Sequence, residues 1–542
     1  MTGSLTAWLP GRDRRAVRHP AAPGRARIAA GDPAPRVAVI GAGIAGLAAG
    51  TALAERGIRV VLVEREAQLG GRVRSWPVGD HHEDPAARRT MSRGFHAFFL
   101  QYYNLRSLLR RTDPALASLR PVADYPLELA SGHRDSFAKI PRRPPLNLAA
   151  FVARSPSFTA GDLAKVNVAA ALELLDVSFP ETYSAYDGQS AAEFLDRLQF
   201  PDPARHLALE VFARSFFAHP DSFSAGELVA MFHCYFLGSS EGLLFEVPCD
   251  DYETALWAPL GRYLAAQGVD ARMGVEAGPP SSAAGRSDGT LRMSLSSGDD
   301  LTVDGVVLAT DPATTRWLGT EADLAPAGEL DVADWRGRLA EIRTAPAFAV
   351  WRLWLDRPVR HDRATFLGTS GYGPLDNISV LERYEAGARR WSVQHGGSVV
   401  ELHAYALSDD QRDADLRGRL RQELGRVYPE TVGAQVVADE WLVRDDCSLA
   451  GVGPWRLRPE VGTPHPRLML AGDGIRCDYP VALMERAATT GFVAANRLLA
   501  EFGLAGHDLW TVPMRSRHRV VPAARRLLAR RQPGNSPRRR SS

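Results

Sequence analysis

The sequence predicts an α/β fold in which a parallel-sheet nucleotide-binding domain is interrupted by an inserted α+β domain of helices and antiparallel strands. Three observations predict it. Arg36 to Arg72 reads as strand, glycine turn, helix, strand. Two more short apolar runs, Val306 to Thr310 and Leu468 to Gly474, have the composition of strands buried on both faces and return the chain to the same sheet. Between these segments lie a stretch of helical pattern, 121–260, and a stretch that alternates apolar and polar residues, 345–407.

The first unit is the most specific. Val37, Val39 and Ile40 form a buried strand, and Gly41-Ala42-Gly43-Ile44-Ala45-Gly46 follows as G-x-G-x-x-G. Gly41 permits the tight turn, Gly43 lets the backbone approach a pyrophosphate, and Gly46 lets the helix pack closely on the sheet. The helix Leu47 to Glu55 offers the free N–H groups of its N-terminus to a phosphate. Val60 to Val63 is the second strand, and it ends at Glu64 and Arg65. An acid about 20 residues past the glycines suits a ribose hydroxyl pair. Strand, helix, strand and acid in register make this a Rossmann-type dinucleotide site.

Composition narrows the class. The chain has 542 residues, a hydrophobic fraction of 45% and a net charge of +2, so it can build two or more cores and shows no global field for nucleic acid. Its only lysines are Lys139 and Lys165, and nearly all basic charge is Arg. The four cysteines, Cys234, Cys249, Cys447 and Cys477, form no C-x-x-C and read as reduced thiols, and no metal site is expected. No apolar run reaches the roughly 18 residues of a membrane span, and the start lacks a signal-peptide core, so cytoplasmic residence is expected.

In chain order, 1–35 is a basic leader without periodicity and is expected to be disordered. Ser92 to Leu105 sets His96 among Phe95, Phe98, Phe99, Tyr102 and Tyr103, with Gly94 just before it. This is either a core turn with a satisfied histidine or the wall of an apolar pocket. Candidate helices are Leu163 to Leu175, Ala191 to Leu198, Arg205 to Phe217 and Ala225 to Phe236. The last two carry Phe212, Phe216, Phe217, Phe232, Tyr235 and Phe236. Leu260 to Gln267 is a helix, Val269 to Val275 a strand, and Leu291 to Val303 a hairpin. Phe348 to Leu355 and Val399 to Tyr405 read as strands of a half-buried antiparallel sheet, followed by a helix from Asp409 to Val427 and a strand from Gln435 to Leu442. After Leu468 to Gly474, the segment Val481 to Leu499 is a long helix. The expected domains are 36–110, 251–325 and 456–508 for the nucleotide fold, 111–250 as a helical and 326–455 as a sheet-bearing part of the substrate domain, and 509–542 as an Arg-rich tail.

Several strings carry a resemblance to a family. Leu69-Gly70-Gly71-Arg72 directly after the second strand resembles the flavoproteins of the amine oxidase and carotenoid desaturase families, which implies FAD rather than NAD. The string MSRGFHAFFLQYYNLRSLLRRTDP from Met91 is similar to one subgroup, the carotenoid φ/χ-ring synthases. Tyr235 to Phe245, Thr254 to Leu260 and the segment near 472–488 are similar to the same subgroup, and the resemblance spans roughly 36–505. It implies an amine oxidase/phytoene desaturase-like fold, with Gly70, Gly71 and Gly94 close to the cofactor and Arg72 facing its pyrophosphate. It further implies Val275 at the adenine, Gly472 and Asp473 at the ribityl or phosphate groups, and Val481 and Met484 at the flavin's pyrimidine edge, where a helix N-terminus stabilises negative charge.

The same resemblance implies a carotenoid substrate such as β-carotene. A β-ring bears two methyls on one carbon, so aromatising it requires hydride loss, a 1,2-methyl shift, proton loss and a second oxidation. A dry aromatic cavity would shelter the cation. His96 is the first candidate for a base and Glu485 the second, with an ion pair of Glu485 to Arg486 or Arg72 as the alternative. An electron acceptor such as a quinone must reoxidise the cofactor between steps. Arg515 to Arg540 holds ten Arg and no acid. It is either a solvated tail or a basic segment docking on an anionic membrane surface, and nucleic acid is not an expected partner. The competing readings are a linear-carotene desaturase or cis–trans isomerase, a broader amine oxidase, and a lipid carrier without flavin. The intact glycines argue against the carrier.

Overall fold

Two sheets, each assembled from distant segments of the chain, face one another across a cavity. The computed structural model describes residues 11–517 except 30, 80–87, 156–160, 162–165, 200–215, 244, 283–288, 325–330 and 413–414. The expected helix from Arg205 lies largely outside the described residues, as do the Arg-rich residues beyond 517.

The nucleotide sheet has five parallel strands. Asp270–Met273, Arg59–Glu64, Arg36–Ile40, Gly305–Leu308 and Leu468–Leu470 lie side by side in that order. Arg36–Ile40 and Gly305–Leu308 are apolar and buried along nearly their whole length, as a sheet covered on both faces requires. The helix Ile44–Glu55 is buried almost all round and packs on the closing helix Leu483–Glu501, so two small-residue helices stack on one face of the sheet.

The second sheet has seven strands in the order Val436–Arg444, Ala347–Leu355, Ser398–Leu407, Asn377–Val380, Phe366–Ser370, Leu127–Leu129 and Arg134–Asp135. All neighbours are antiparallel except Phe366–Ser370 with Leu127–Leu129. Two strands of this sheet come from 111–250, which reads as helical in the sequence, so the helical and sheet-bearing parts share one sheet.

The edge strand Val436–Arg444 is largely exposed, but the central strands are not half-exposed. Ala347–Leu355 is buried at every position. One face, with Ala349, Trp351, Leu353, Val400, Leu402 and Ala404, packs on Leu416, Leu420 and Leu424 of the helix Leu416–Val427. The other face carries Phe348, Val350, Arg352, Glu401, His403 and Tyr405 and turns inward. The polar alternation reads in sequence as a solvent face; here it is a buried, mutually hydrogen-bonded one.

The leader departs from the disorder expected of it. Val17–His19 pairs antiparallel with Leu509–Thr511, and Arg25 bridges to Leu504. Asp13, nearly fully buried, holds the Arg517 guanidinium at 2.6 Å and accepts the Ser240 N–H at 2.7 Å. Glu241 accepts the N–H groups of Arg12 and Asp13. Residues 11–25 and 504–517 are therefore fastened together on the nucleotide domain, because each segment supplies backbone and charge partners to the other.

Candidate active site

The two sheets enclose a cavity of about 420 Å³. At one end it is lined by Gly41, Gly43, Ile44, Ala45, Glu64, Arg65, Gly70, Gly71 and Val275, with Gly472 and Asp473 beside them. At the other end it is lined by aromatic rings, Phe95, Phe99, Tyr235, Phe245, Phe348 and Phe366 among them.

The glycine end is built by backbone. The loop at Gly43 lies against Gly70 in a parallel bridge, with the Gly70 N–H donating to the Ala42 carbonyl at 2.8 Å. Gly71 has φ +56°, and a Cβ there would stand 2.9 Å from Gly43 Cα. Only two bare backbones can lie this close, and they leave a groove that a pyrophosphate can enter. Gly46 does not line the cavity; it lets the helix sit against the Gly41 carbonyl, which a Cβ would meet at 1.8 Å. The helix Ile44–Glu55 has no side-chain cap, so its first N–H groups remain available to an anion.

Other residues take more specific places than the sequence assigns them. Glu64 Oε2 accepts the Ala42 N–H at 2.6 Å, at the end of its strand where a ribose would sit. Ala42 itself does not line the cavity. Arg65 is 3.3 Å from Asp311 and lines the wall. Val275 lines it too, but its N–H donates to the Glu64 carbonyl at 2.9 Å because the strand Asp270–Met273 continues its pairing. Only its carbonyl is left for an adenine. Gly94 and Val481 are displaced from the lining. The Gly94 carbonyl accepts from His96 Nδ1 and Tyr252, and the Val481 carbonyl accepts from Arg486 Nε.

Arg72 reaches the cavity paired with Asp473, and Ser448 Oγ donates to the same carboxylate at 3.1 Å. Burial alone would raise the Asp473 carboxyl, but the Arg72 guanidinium holds it below the usual range. The closing helix starts at Leu483, whose φ of +51° marks a backbone held in a sparsely populated region; Leu483, Met484 and Ala487 face the cavity.

The two candidate bases part company. His96 lines the cavity beside Tyr252, with Nδ1 2.8 Å from the Gly94 carbonyl. Burial pushes it down to about 4, so it is a neutral imidazole with Nδ1–H donating. Glu485 does not line the cavity. Its two oxygens accept the Asn104 and Leu105 N–H groups at 2.8 and 2.9 Å, capping the helix Tyr103–Leu109, and burial pushes its carboxyl up to about 8. The ion-pair alternative fails as well. Arg486 is bound to Glu227, at 3.0 and 2.6 Å, and Arg72 to Asp473. Glu485 directly follows Met484 but falls on the other face of the helix, against Asn104 and Leu105.

Of the aromatic stripe, Phe216, Phe217 and Tyr235 line the cavity, Phe232 and Phe236 belong to the core, and Phe212 is outside the described residues. Sequence reasoning missed Asn377 and Tyr405 on the cavity wall and the buried Arg352, Glu401 and His403 behind them. The one available signal was the alternation Glu401-Leu402-His403-Ala404-Tyr405, three polar groups on one strand face.

The residues fit FAD. The bare Gly43–Gly71 groove, the uncapped helix N-terminus and the acid at the strand end converge on one end of a cavity whose other end is apolar. The comparisons agree. The model of the family described as flavin containing amine oxidoreductase matches residues 44–499. A carotenoid phi-ring synthase of Streptomyces griseus is 54% identical over 96% of this chain and 97% of its own. Another, of Chlorobaculum tepidum, is 25% identical over 88% of this chain and 90% of its own. The solved structure of cyclohexylamine oxidase from Brevibacterium oxydans covers 87% of this chain and 100% of its own, with a TM-score of 0.60 at 13% identity, a likeness of fold. The chain belongs to the flavin-containing amine oxidoreductase family and, within it, to the carotenoid φ-ring synthases.

Proposed function

We propose that this chain is an FAD-dependent oxidoreductase of carotenoid biosynthesis that desaturates the β-ring of β-carotene or a close relative and, with a 1,2-methyl shift, makes it an aromatic φ-ring. The observation that carries the reading is the cavity, a dinucleotide groove opening into an aromatic chamber, in a chain 54% identical to a carotenoid phi-ring synthase. Bound FAD supplies a two-electron acceptor for hydride.

The chain's own residues bind, orient and exclude water. With FAD bound, Gly43 and Gly71 would admit the pyrophosphate, Glu64 would meet the ribose, and the Val275 carbonyl would be left for the adenine. Arg72 and Asp473 pair with one another on the cavity wall, so each offsets the other's charge. Phe95 packs on Phe366 at 4.4 Å and edge-on to Phe245, so ring faces surround the chamber. Such faces stabilise a ring cation without reacting with it. His96 stands on this wall as a neutral imidazole, the base suggested by the sequence, with no carboxylate among its hydrogen-bond partners. Each ring loses two hydrides and two protons, so an acceptor such as a quinone regenerates the cofactor between oxidations. No helix among the described residues is long and apolar enough to cross a membrane; docking on an anionic surface would fall to the Arg-rich stretch near 515–540, apart from Arg517, which is held by Asp13.

Expression in a bacterial host that accumulates β-carotene tests the reading. Expected are pigments that have lost four hydrogens per modified ring, keep every carbon and show aromatic protons, with the migrated methyl placed by NMR. Unchanged β-carotene despite FAD-loaded protein would reject it.

A further inference from the structure

Behind the chamber the seven-stranded sheet carries a continuous run of polar groups on its inward face. His403 Nε2 lies 2.8 Å from Glu401 Oε1, and His403 Nδ1 lies 2.7 Å from the Tyr405 hydroxyl. Arg352 donates to Glu401 Oε2 at 2.9 and 2.6 Å, and is itself fixed by the Thr90 carbonyl and Ser92 Oγ. Burial would raise the Glu401 carboxyl, but the Arg352 guanidinium and His403 hold it at about 2. An ionised carboxylate only accepts, so the 2.8 Å contact to Glu401 places the imidazole proton on Nε2, against a longer 3.4 Å approach of the Phe95 N–H to the same atom, and Nδ1 accepts from Tyr405. Hydroxyl, imidazole and carboxylate thus stand in the order of a base backed by an orienting acid.

Two further observations mark the Tyr405 end of this run. The strand Ser398–Leu407 has one extra residue where Leu407 pairs Ala347 and Ala404 pairs Ala349, and Ala406 there has φ +49°. A bulge with a left-handed non-glycine residue re-aims the neighbouring side chain and is commonest beside active sites. Next to it, Asn377 is buried and lines the cavity. Its Nδ2 is 2.8 Å from the Tyr405 hydroxyl, while its Oδ1 has no hydrogen-bond partner. Whichever way the amide is turned, one of its polar atoms stands unmatched at the wall.

Resting on the ring-aromatising reading above, we infer that Tyr405 takes the proton lost by the substrate ring and passes its own to His403, with Glu401 and Arg352 holding the relay in place. The ring C–H bond breaks and its electron pair becomes a ring π bond, which quenches the cation left by the preceding hydride loss. The proton forms a new O–H bond on Tyr405 as the old one transfers to His403 Nδ1. Tyr405 ends neutral, and the positive charge moves from the ring to an imidazolium facing Glu401. His96 offers no such seat, because its hydrogen-bond partners are the Gly94 carbonyl and the Tyr252 hydroxyl rather than a carboxylate, and burial opposes its cation.

The test uses the full-length FAD-loaded enzyme, β-carotene in detergent micelles and a soluble quinone. Tyr405→Phe and His403→Gln are each expected to keep bound flavin and KM while lowering kcat by about 100-fold or more. Their double variant is expected to be no slower than either alone, since members of one unit are not additive. The wild-type kcat is expected to be slower in D2O, and this solvent effect to be lost in Tyr405→Phe. Should His403→Gln lose flavin, the Tyr405→Phe rate and the D2O comparison decide. Tyr405→Phe within threefold of wild-type kcat, a change in KM alone, additive losses, or a His96→Gln that abolishes aromatisation while Tyr405→Phe does not, each overturns the relay. A wild type that leaves the ring untouched rejects instead the reading on which the relay rests.

Discussion

Glu485 shows how one side chain can couple stability to pH without touching the chemistry. Its carboxyl is pushed up to about 8 by burial, from a model-compound value of 4.5, although two backbone N–H groups favour the charged form. A raised carboxyl binds its proton more tightly in the folded chain than in the unfolded one. Its contribution is therefore fully present below about 4.5 and is lost as pH rises towards 8. The Tm advantage of wild type over Glu485→Gln is expected to be larger at pH 5 than at pH 8, by the equivalent of a few kcal/mol at most (~1.4 kcal/mol per pKa unit). Differential scanning calorimetry at the two pH values checks it, and a pH-independent difference would refute it. The sequence offered no hint of this role. Glu485 precedes Arg486 and reads as its partner, but the arginine is turned to Glu227 on another element.

At the scale of elements, the pairing of Val17–His19 with Leu509–Thr511 was the least legible feature. Each strand has three residues, far too few for a periodic signal, and what joins them is a contact between segments far apart in the sequence. The Asp13–Arg517 pair anchors it with both side chains largely buried, and removing one partner of such a pair typically costs about 3–5 kcal/mol. Arg517→Ala is expected to lower the melting temperature by several degrees while the ratio of flavin to protein stays that of wild type. Flavin absorbance during a thermal ramp reads both, and an unchanged midpoint would show that the fastening carries no load. The nucleotide strands were legible by contrast, because a strand buried on both faces needs an unbroken apolar run such as Val306 to Leu308. The sheet face with Arg352, Glu401, His403 and Tyr405 was misread because charge alternating with apolar residues signals solvent unless the partners are known, and those lie on neighbouring strands and loops.

At the scale of the whole molecule, the cofactor and the fold support one another. The groove between Gly43 and Gly71, the strand end at Glu64 and the Asp473 turn belong to segments that meet only in the folded chain, so FAD binds that state alone. Free FAD at a hundredfold excess over Kd is expected to add about 2.7 kcal/mol and raise Tm. Gly71→Ala, whose Cβ would stand 2.9 Å from Gly43 Cα, is expected to abolish both the flavin absorbance and the rise. A Gly71→Ala protein that still purifies yellow would refute the groove. The sheet order has a further consequence for synthesis. Its central strand Arg36–Ile40 leaves the ribosome early, but its neighbour Gly305–Leu308 follows only after the first insertion has been translated, and the edge strand Leu468–Leu470 only after both. At roughly 5–20 residues per second the nascent chain waits tens of seconds for its flavin site. Cofactor capture thus waits on translation past Leu470, and the pairing of Val17–His19 on translation past Thr511.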